Sequence, residues 1–480
     1  MLMDGVVQVL LGINVIFAII LVFFERKDPR SALAWLLVLF LLPTVGFVLY
    51  LIFGQNYFRQ RRFTSKARGD YSLHQRLIEQ EEGRIDRNRP FPAGYAGRFH
   101  SLITMLLENG QAPLTTNNRV RIFTDGKEML DSLLSAIEGA RHHIHMEYFS
   151  IQNNEYGKRI VAALARKARE GVEVRVIFDT MGSLLLPFGF FADLSAAGGR
   201  VTRFYSSVFL LLPLRINYRD HRKITVIDGS IGYIGGSNLG DKYAGRLPGF
   251  SPWRDTNLRI EGGAVRFLQL RFIQDWRFAA GEDLLPGPYY FPVHEPGEGV
   301  PIQIVSSGPD MRLSPIKEAY LKLINSARTS IAIQTPYFVP DESVTDALRI
   351  AALSGVDVRV MIPDRPDHPF VYWSTFSHIA DLLEVGVRVY TYGEGFLHAK
   401  TIVVDGHVAS VGSANWDVRS FRLNFEVNAL LYGEQSADEL HRIFLDDITR
   451  AREITPQGYA SRSAVIRIKE SVSRLLSPIL

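Results

Sequence analysis

The chain contains no cysteine. That absence excludes a disulfide framework, thiol nucleophiles, zinc–thiolate sites and iron–sulfur clusters. A large charge imbalance is missing too. Lys and Arg number 54 against 50 Asp and Glu, a formal net charge of +4, which gives little ground for a nucleic-acid partner. Charge is absent altogether from two stretches at the amino terminus. Gly5–Phe24 carries none over twenty residues, enough to cross a hydrocarbon core of ~30 Å as a helix. Glu25–Arg30 interrupts with five charges and Pro29, and Ala32–Phe53 is uncharged again, with Pro43 and Gly46 marking an expected kink.

Two such runs joined by so short a loop predict a transmembrane helical hairpin over residues 1–54. The ordinary rivals are a buried core hairpin and a signal peptide. The latter needs a basic start and a small-residue cleavage site, whereas this chain starts Met-Leu-Met-Asp and a second run follows at once. The flank after the second run carries Arg59, Arg61, Arg62, Lys66 and Arg68, and the inter-run loop Arg26, Lys27 and Arg30. The positive-inside rule then places a multi-pass protein in the cell membrane with both termini, and everything after residue 54, on the cytoplasmic side. The flank either attracts anionic headgroups as well or is a topology signal alone.

At 480 residues the chain is too long for one core. Residues 55–118 read as a polar linker with a short helix. Beyond them strands and helices alternate in two rounds, 119–290 and 291–480. Glu147-Tyr148-Phe149 is matched to Pro336-Tyr337-Phe338, Gly171–Val176 to Gly355–Val360, and Ala192-Asp193-Leu194 to Ala380-Asp381-Leu382. β-branched strands joined by helices imply an α/β protein of two similar domains, mixed sheets flanked by helices. The seam between them is a favoured place for a ligand.

Each half ends in one signature. The first reads His221-Arg222-Lys223, then Asp228, then Gly235-Gly236-Ser237-Asn238; the second reads His398-Ala399-Lys400, then Asp405, then Gly412-Ser413-Ala414-Asn415. On a strand, His and Lys at i and i+2 project to one side. A neutral imidazole there can attack phosphorus while the ammonium holds phosphoryl oxygens. The Asp precedes Gly229 or Gly406 at a turn, which suits positioning better than direct contact. The Gly-rich turn, with Ser237, Asn238, Ser413 and Asn415, offers close backbone and an amide donor to a phosphate. Phosphodiester exchange through a covalent intermediate needs a nucleophile and an acid, and two half-sites supply both.

These paired motifs resemble the phospholipase D superfamily. With the hairpin, they are similar to its bacterial cardiolipin synthase branch, over essentially the whole chain. Asp28-Pro29-Arg30 before Leu33–Leu37, Thr335–Ser343 and Ser420-Phe421 leading to Asn424–Asn428 carry the likeness. Trp416 departs from it, standing where a smaller residue is expected at the pocket edge. The resemblance implies that His221 forms a phosphohistidine and His398 acts as acid, then base, with Lys223, Asp228, Lys400 and Asp405 completing the catalytic set. It also implies a carboxylate on the remote nitrogen of each histidine, 25 to 35 residues downstream, a spacing that Asp255 and Glu426 fit. The activity implied is transfer of a phosphatidyl group from one phosphatidylglycerol to another, giving cardiolipin and glycerol. Its partners are phosphatidylglycerol and membrane phospholipids, with no nucleic acid. Hydrolysis by a phospholipase D-type enzyme is the alternative, and intact half-sites argue against a silent scaffold. No cofactor or metal is expected, because lysines supply the positive charge.

Three features remain outside that reading. His142, His143 and His145 lack acids or cysteines at ligand spacing and read as strand-edge residues rather than a metal site. Arg419 either binds phosphate or pairs with an acid. Val465–Leu480, apolar at helical spacing, reads as a docking helix, with membrane contact as its other reading.

Overall fold

The computed structural model describes residues 2–23, 29–42, 44–46, 50, 63, 66–72, 95–205, 218–246, 251–284, 289–293 and 297–476. In the first half the strands are β1 (Thr115–Asp125), β2 (His143–Tyr148), β3 (Glu173–Phe178), β4 (Arg200–Arg203), β5 (Arg219–Asp220), β6 (Lys223–Ile227), β7 (Ile231–Gly235) and β8 (Trp253–Glu261). The second half has β9 (Val300–Ser307), β10 (Ser330–Gln334), β11 (Phe338–Val339), β12 (Asp357–Pro363), β13 (Arg388–Tyr392), β14 (Phe396–Leu397) and β15 (Thr401–Val404). It continues with β16 (Val408–Gly412), β17 (Trp416–Asp417), β18 (Asn424–Tyr432) and β19 (Ala451–Ile454).

Pairing runs β4-β3-β2-β6-β7-β8-β1 in one sheet and β13-β12-β10-β15-β16-β18-β9 in the other, with β19 added at the outer edge of β13. Both sheets are mixed, parallel at β2-β3-β4 and at β10-β12-β13. β1 also pairs with β9, joining them. The repeat is therefore real, with a register that differs by two residues from the sequence match at one place. Glu147 faces Ile224 and Gln334 faces Thr401, so Glu147 corresponds to Gln334 rather than to Pro336.

Strands such as β2 are buried along their whole length, since Ile144 and Met146 pack against the helix Glu155–Arg169 on one face and His143 and His145 meet the helix Val265–Ala280 on the other. The helix Glu155–Arg169 shows how the sequence sets such a cover. Asn154 accepts from Gly157 N–H, closing its first turn, and Arg166, Lys167 and Arg169 oppose the dipole at its end. Tyr156, Ile160 and Leu164, four apart, bury one stripe. Between the sheets, Ile224, Val226, Leu258 and Ile260 share one apolar cluster with Ile304, Met361, Leu397 and Val427.

The segment expected as a linker includes the helix Tyr95–Gly110, whose Phe99, Leu102, Ile103 and Leu106 belong to the core of the second half. Lys66 belongs inside as well. Of the basic flank, Arg59, Arg61 and Arg62 lie outside the described residues, while the buried Lys66 ammonium meets Asp70 at 2.5 Å, Asp275 at 2.9 Å and Asp310 at 3.0 Å. It is thus a bolt between the halves and not a lipid contact. Trp416 is also no pocket edge. It is fully buried, stacked on Tyr320 at 4.5 Å, because β17 pairs with β11 beneath the turn.

His143 and His145 are core residues rather than strand-edge ones. They bracket Gln269 at 3.0 and 2.8 Å, since alternation points both at the helix Val265–Ala280. The carboxyl-terminal helix Ala464–Leu476 packs along the helix Pro369–Leu383 and leaves Val465, Ile468, Val472 and Leu475 exposed; residues 477–480 lie outside the described residues.

At the amino terminus, helices Leu2–Phe23 and Pro29–Leu41 meet through Leu21 and Leu39, and Asn14 donates to the Leu39 carbonyl at 2.9 Å. Among the described residues no helix is long and apolar enough to cross a membrane. The second expected span is helical over Pro29–Leu41 and again at residues 44–46, while Pro43 and residues 47–49 lie outside the described residues.

Candidate active site

Two short pairings that cross between the halves build the site. β5 runs parallel to the start of β18, with Asp220 opposite Phe425, and β14 runs parallel to the start of β8, with Leu397 opposite Arg254. Each pairing carries its histidine: His221 N–H donates to the Phe425 carbonyl at 2.9 Å and His398 N–H to the Arg254 carbonyl at 2.7 Å. The residue after each partner is a carboxylate of the opposite half. His221 Nδ1 lies 3.0 Å from both oxygens of Glu426, and His398 Nδ1 lies 2.6 Å from Asp255. The supporting carboxylates are therefore exchanged relative to the downstream pattern, in which Asp255 would serve His221 and Glu426 would serve His398. The reason is that a carboxylate one strand away in space is nearer than one along the same chain.

A carboxylate only accepts, so each Nδ1 carries the hydrogen and each Nε2 keeps its lone pair. Lys223 donates to the His221 carbonyl at 2.6 Å, and Lys400 donates to the His398 carbonyl and lies 2.9 Å from its Nδ1. Burial pushes His221 down to about 4 and His398 to about 3, against the pull of Glu426 and Asp255. Each ring also feels the lysine of the other half, Lys400 at His221 and Lys223 at His398. That mutual influence places both half-sites in one electrostatic field. Burial resists ionisation of Asp255 and Glu426 too, but Lys400 with His398, and His221 with Lys223, outweigh it and hold both carboxyls below their usual range.

The glycine-rich turns lie against these carboxylates. A Cβ on Gly236 would sit 2.1 Å from Asp255, so only glycine fits there. Its counterpart Ser413 donates to Glu426 and accepts from Val427 N–H at 3.0 Å. Ser237 is bound to Asn257 through both its N–H, at 3.0 Å, and its hydroxyl, at 2.9 Å. Asn238 accepts from Ser150 N–H at 3.1 Å and donates to Tyr243. Of the four residues expected to hold phosphate, Asn415 is the one whose buried side-chain oxygen has no hydrogen-bond partner among the described residues.

Asp228 and Asp405 do not join the cluster. Each is the first central residue of an Asp-Gly hairpin turn with positive φ at both positions, 52° and 64° in one, 53° and 67° in the other. Asp228 accepts from the N–H groups of Arg141, His142 and His143, and Asp405 from those of Arg328, Thr329 and Ser330 and from the Arg98 side chain. Lys223 faces Tyr148 at the far end of β2, five residues from Asp228, or ~16 Å along a strand. Both thus hold a turn and the start of a neighbouring strand, the positioning role that their place before a glycine suggests.

Other site residues carry no sequence motif. Phe149 lies edge-on to His221 with ring centres 5.1 Å apart, and Trp253 lies 5.0 Å from His398. Asp179 accepts from Asp220 N–H at 3.0 Å, and Arg219 and Arg419 stand in its field. Arg419 also faces Asp417 and Glu426, so it sits among acids. The clearest signal for Arg219 was its place two residues before His221. Among the described residues no group of three or more His, Asp or Glu is placed to hold a metal ion.

Residues 133–261 and 320–448 match the family described as "Cardiolipin synthase, PLD-like domain", and residues 12–55 match "Phospholipase_D-nuclease N-terminal". The chain is 49% identical to the major cardiolipin synthase ClsA of Bacillus subtilis, over 98% of this chain and 97% of that one. It is 46% identical to a cardiolipin synthase of Listeria welshimeri, over 98% of each. It is 47% identical to one of Staphylococcus aureus, over 98% of this chain and 95% of that one. Among solved structures, the phosphatidylserine synthase of Haemophilus influenzae superposes with a TM-score of 0.61 at 14% identity, covering 79% of this chain and all of that one. At that identity it is a likeness of fold.

Proposed function

This chain belongs to the bacterial cardiolipin synthases of the phospholipase D superfamily, and we propose from that premise how its residues transfer a phosphatidyl group between two phosphatidylglycerol molecules. His221 Nε2 attacks the phosphorus of the first, while protonated His398 gives its proton to the departing glycerol oxygen. The phosphatidyl group then rests on His221. His398, now neutral, takes the proton from a headgroup hydroxyl of the second molecule, whose oxygen attacks phosphorus and frees His221, giving cardiolipin. Lys223 and Lys400 hold the non-bridging oxygens as charge builds on them. An arriving phosphate anion raises the pKa of His398 and so supplies its proton near neutrality.

The observation that carries this reading is the pair of imidazoles, each held at Nδ1 by a carboxylate of the opposite half. The amino-terminal helices, with exposed Leu11, Val15, Ile16, Ile19, Leu33 and Leu37, anchor the enzyme in the bilayer that holds both substrates. The basic residues after residue 54 keep the catalytic halves cytoplasmic.

The test is to add purified enzyme to phosphatidylglycerol vesicles and separate the lipids by thin-layer chromatography. Cardiolipin with equimolar glycerol is expected. Phosphatidic acid as the main product replaces transfer with hydrolysis.

A further inference from the structure

The two halves expose large apolar side chains at one equivalent place in the repeat. β3 and β12 are counterparts, and each ends at the sheet edge that carries a histidine. After β3, Leu184 is 57%, Leu185 94% and Phe188 106% exposed; after β12, at the start of the helix Pro369–Leu383, Phe370 is 59% exposed. From Thr180 to Gly199 the sequence has a single charge, Asp193.

Neither segment is loosely attached. Asp179 accepts from Met181 N–H at 2.8 Å and Gly182 N–H at 3.1 Å as well as from Asp220 N–H. The Ser183 hydroxyl donates to the Phe149 carbonyl at 3.3 Å and accepts from Ile151 N–H at 3.0 Å. Phe149 is the ring that lies against His221. In the second half, Tyr337 donates to Asp367 at 2.6 Å and Tyr372 to the Asp364 carbonyl at 3.1 Å, and Asp367 acts on Lys400. Apolar tips are thus carried on bases fastened to the catalytic wall.

Large apolar side chains exposed together, as Leu184, Leu185 and Phe188 are, mark an interaction site. We propose that these two ledges enter the acyl region of the bilayer on either side of the site, setting the histidines at the depth of a lipid phosphodiester. The occupant follows from the charge between the ledges, where Lys223, Lys400, Arg219 and Arg419 suit an anionic headgroup. A phospholipid joins its phosphodiester to its acyl chains, so a site that accepts the first must open on to the second. The usual depth of such contacts is ~5–10 Å. The inference rests on the phosphatidyl-transfer reading above.

The absence of cysteine makes the test direct. Full-length Leu185→Cys, Phe370→Cys and Leu353→Cys are each labelled with an environment-sensitive fluorophore and reconstituted in phosphatidylglycerol vesicles whose acyl chains carry bromine. Leu353 is 70% exposed but precedes β12, at the sheet edge away from the histidines. Labels at 185 and 370 are expected to shift to the blue and be quenched, and the label at 353 to remain in water. Labels at 185 and 370 that behave like 353 overturn the proposal. A disulfide joining two copies of the unlabelled Leu185→Cys variant overturns it as well, because a second copy would then be the occupant.

Cardiolipin is read in the same vesicles. Its formation with unquenched labels rejects the ledges and leaves the transfer reading standing; quenched labels without cardiolipin do the reverse. A double Leu185→Asp, Phe188→Asp variant should lose roughly tenfold more kcat/KM on vesicles than on dispersed short-chain phosphatidylglycerol. Equal losses reject the ledges.

Discussion

His221 Nδ1 stands 3.0 Å from Glu426, 205 residues further along the chain and in the other half of the molecule. His398 and Asp255 repeat the relation in the opposite direction. Neither half therefore owns a complete catalytic dyad. The exchange follows from strand pairing, since β5 lies beside β18 and β14 beside β8, and it makes the seam between the halves a condition of catalysis.

Glu426→Gln and Asp255→Asn should each leave the fold intact and lower turnover by about 10²- to 10⁴-fold, through loss of the oriented Nδ1–H tautomer and of imidazolium stabilisation. The crossed pairing sharpens this. Glu426→Gln added to His221→Ala should cost little further, because both act on one ring. Kinetics of the three single variants and of the double variant decide it. Full additivity for Glu426 with His221, or full turnover in Glu426→Gln, would contradict the arrangement.

The pH profile should show an alkaline limb set by the lysines. Burial, with the charge of Lys400 adding to it, holds Lys223 down to about 7, and burial against the pull of Asp255 holds Lys400 to about 8. Below these values the ammonium groups are present; above them they are lost, and kcat/KM should fall. The stability contribution has the opposite sign. A folded-state value below the unfolded one of ~10.4 means the folded chain binds fewer protons between about 7 and 10, so these two lysines favour folding more as pH rises. Lys223→Arg, if active, should move the limb upward, because a guanidinium does not titrate there. A limb unmoved in that variant assigns it to another group.

Asp228→Ala and Asp405→Ala should lose stability rather than chemistry. Each leaves three backbone N–H groups without their acceptor and puts alanine at positive φ, for a loss of about 1–3 kcal/mol. Turnover per folded molecule should stay near that of the parent. Backbone N–H donors hold Asp405 down to about 2 despite burial, so its contribution is full above the ordinary carboxylate value and disappears as pH falls through about 2. Denaturant midpoints alongside kcat check both. A large fall in kcat at unchanged midpoint would return these residues to the catalytic group.

Lys66→Met should be costly although Lys66 is far from any motif. Burial opposes its charge, but Asp275, Asp70 and Asp310 outweigh that and raise its pKa. Removing it leaves Asp310 without an ion-pair partner among the described residues, and leaves Asp275 to Arg222 and Asp70 to Arg271 alone, at about 3–5 kcal/mol. A neutral effect on the unfolding midpoint would mean that the segment 66–72 is not fastened to Asp275 and Asp310 as described.

What the amino-acid order determined by itself was local and periodic. It determined the twofold alternation of strands and helices, the His-x-Lys pairs on one strand face, the Asp-Gly turns and the helix caps, because each depends on residues within a turn or a pleat of one another. Tertiary structure decided what depends on distant segments meeting. It chose which carboxylate serves which histidine, sent Trp416 and Lys66 into the interior, and separated Asp228 and Asp405 from the lysines of their own motifs. Distance along a chain carries no information about which strand of another domain will lie alongside, and hydrogen bonding between sheet edges settles that only once both halves have folded.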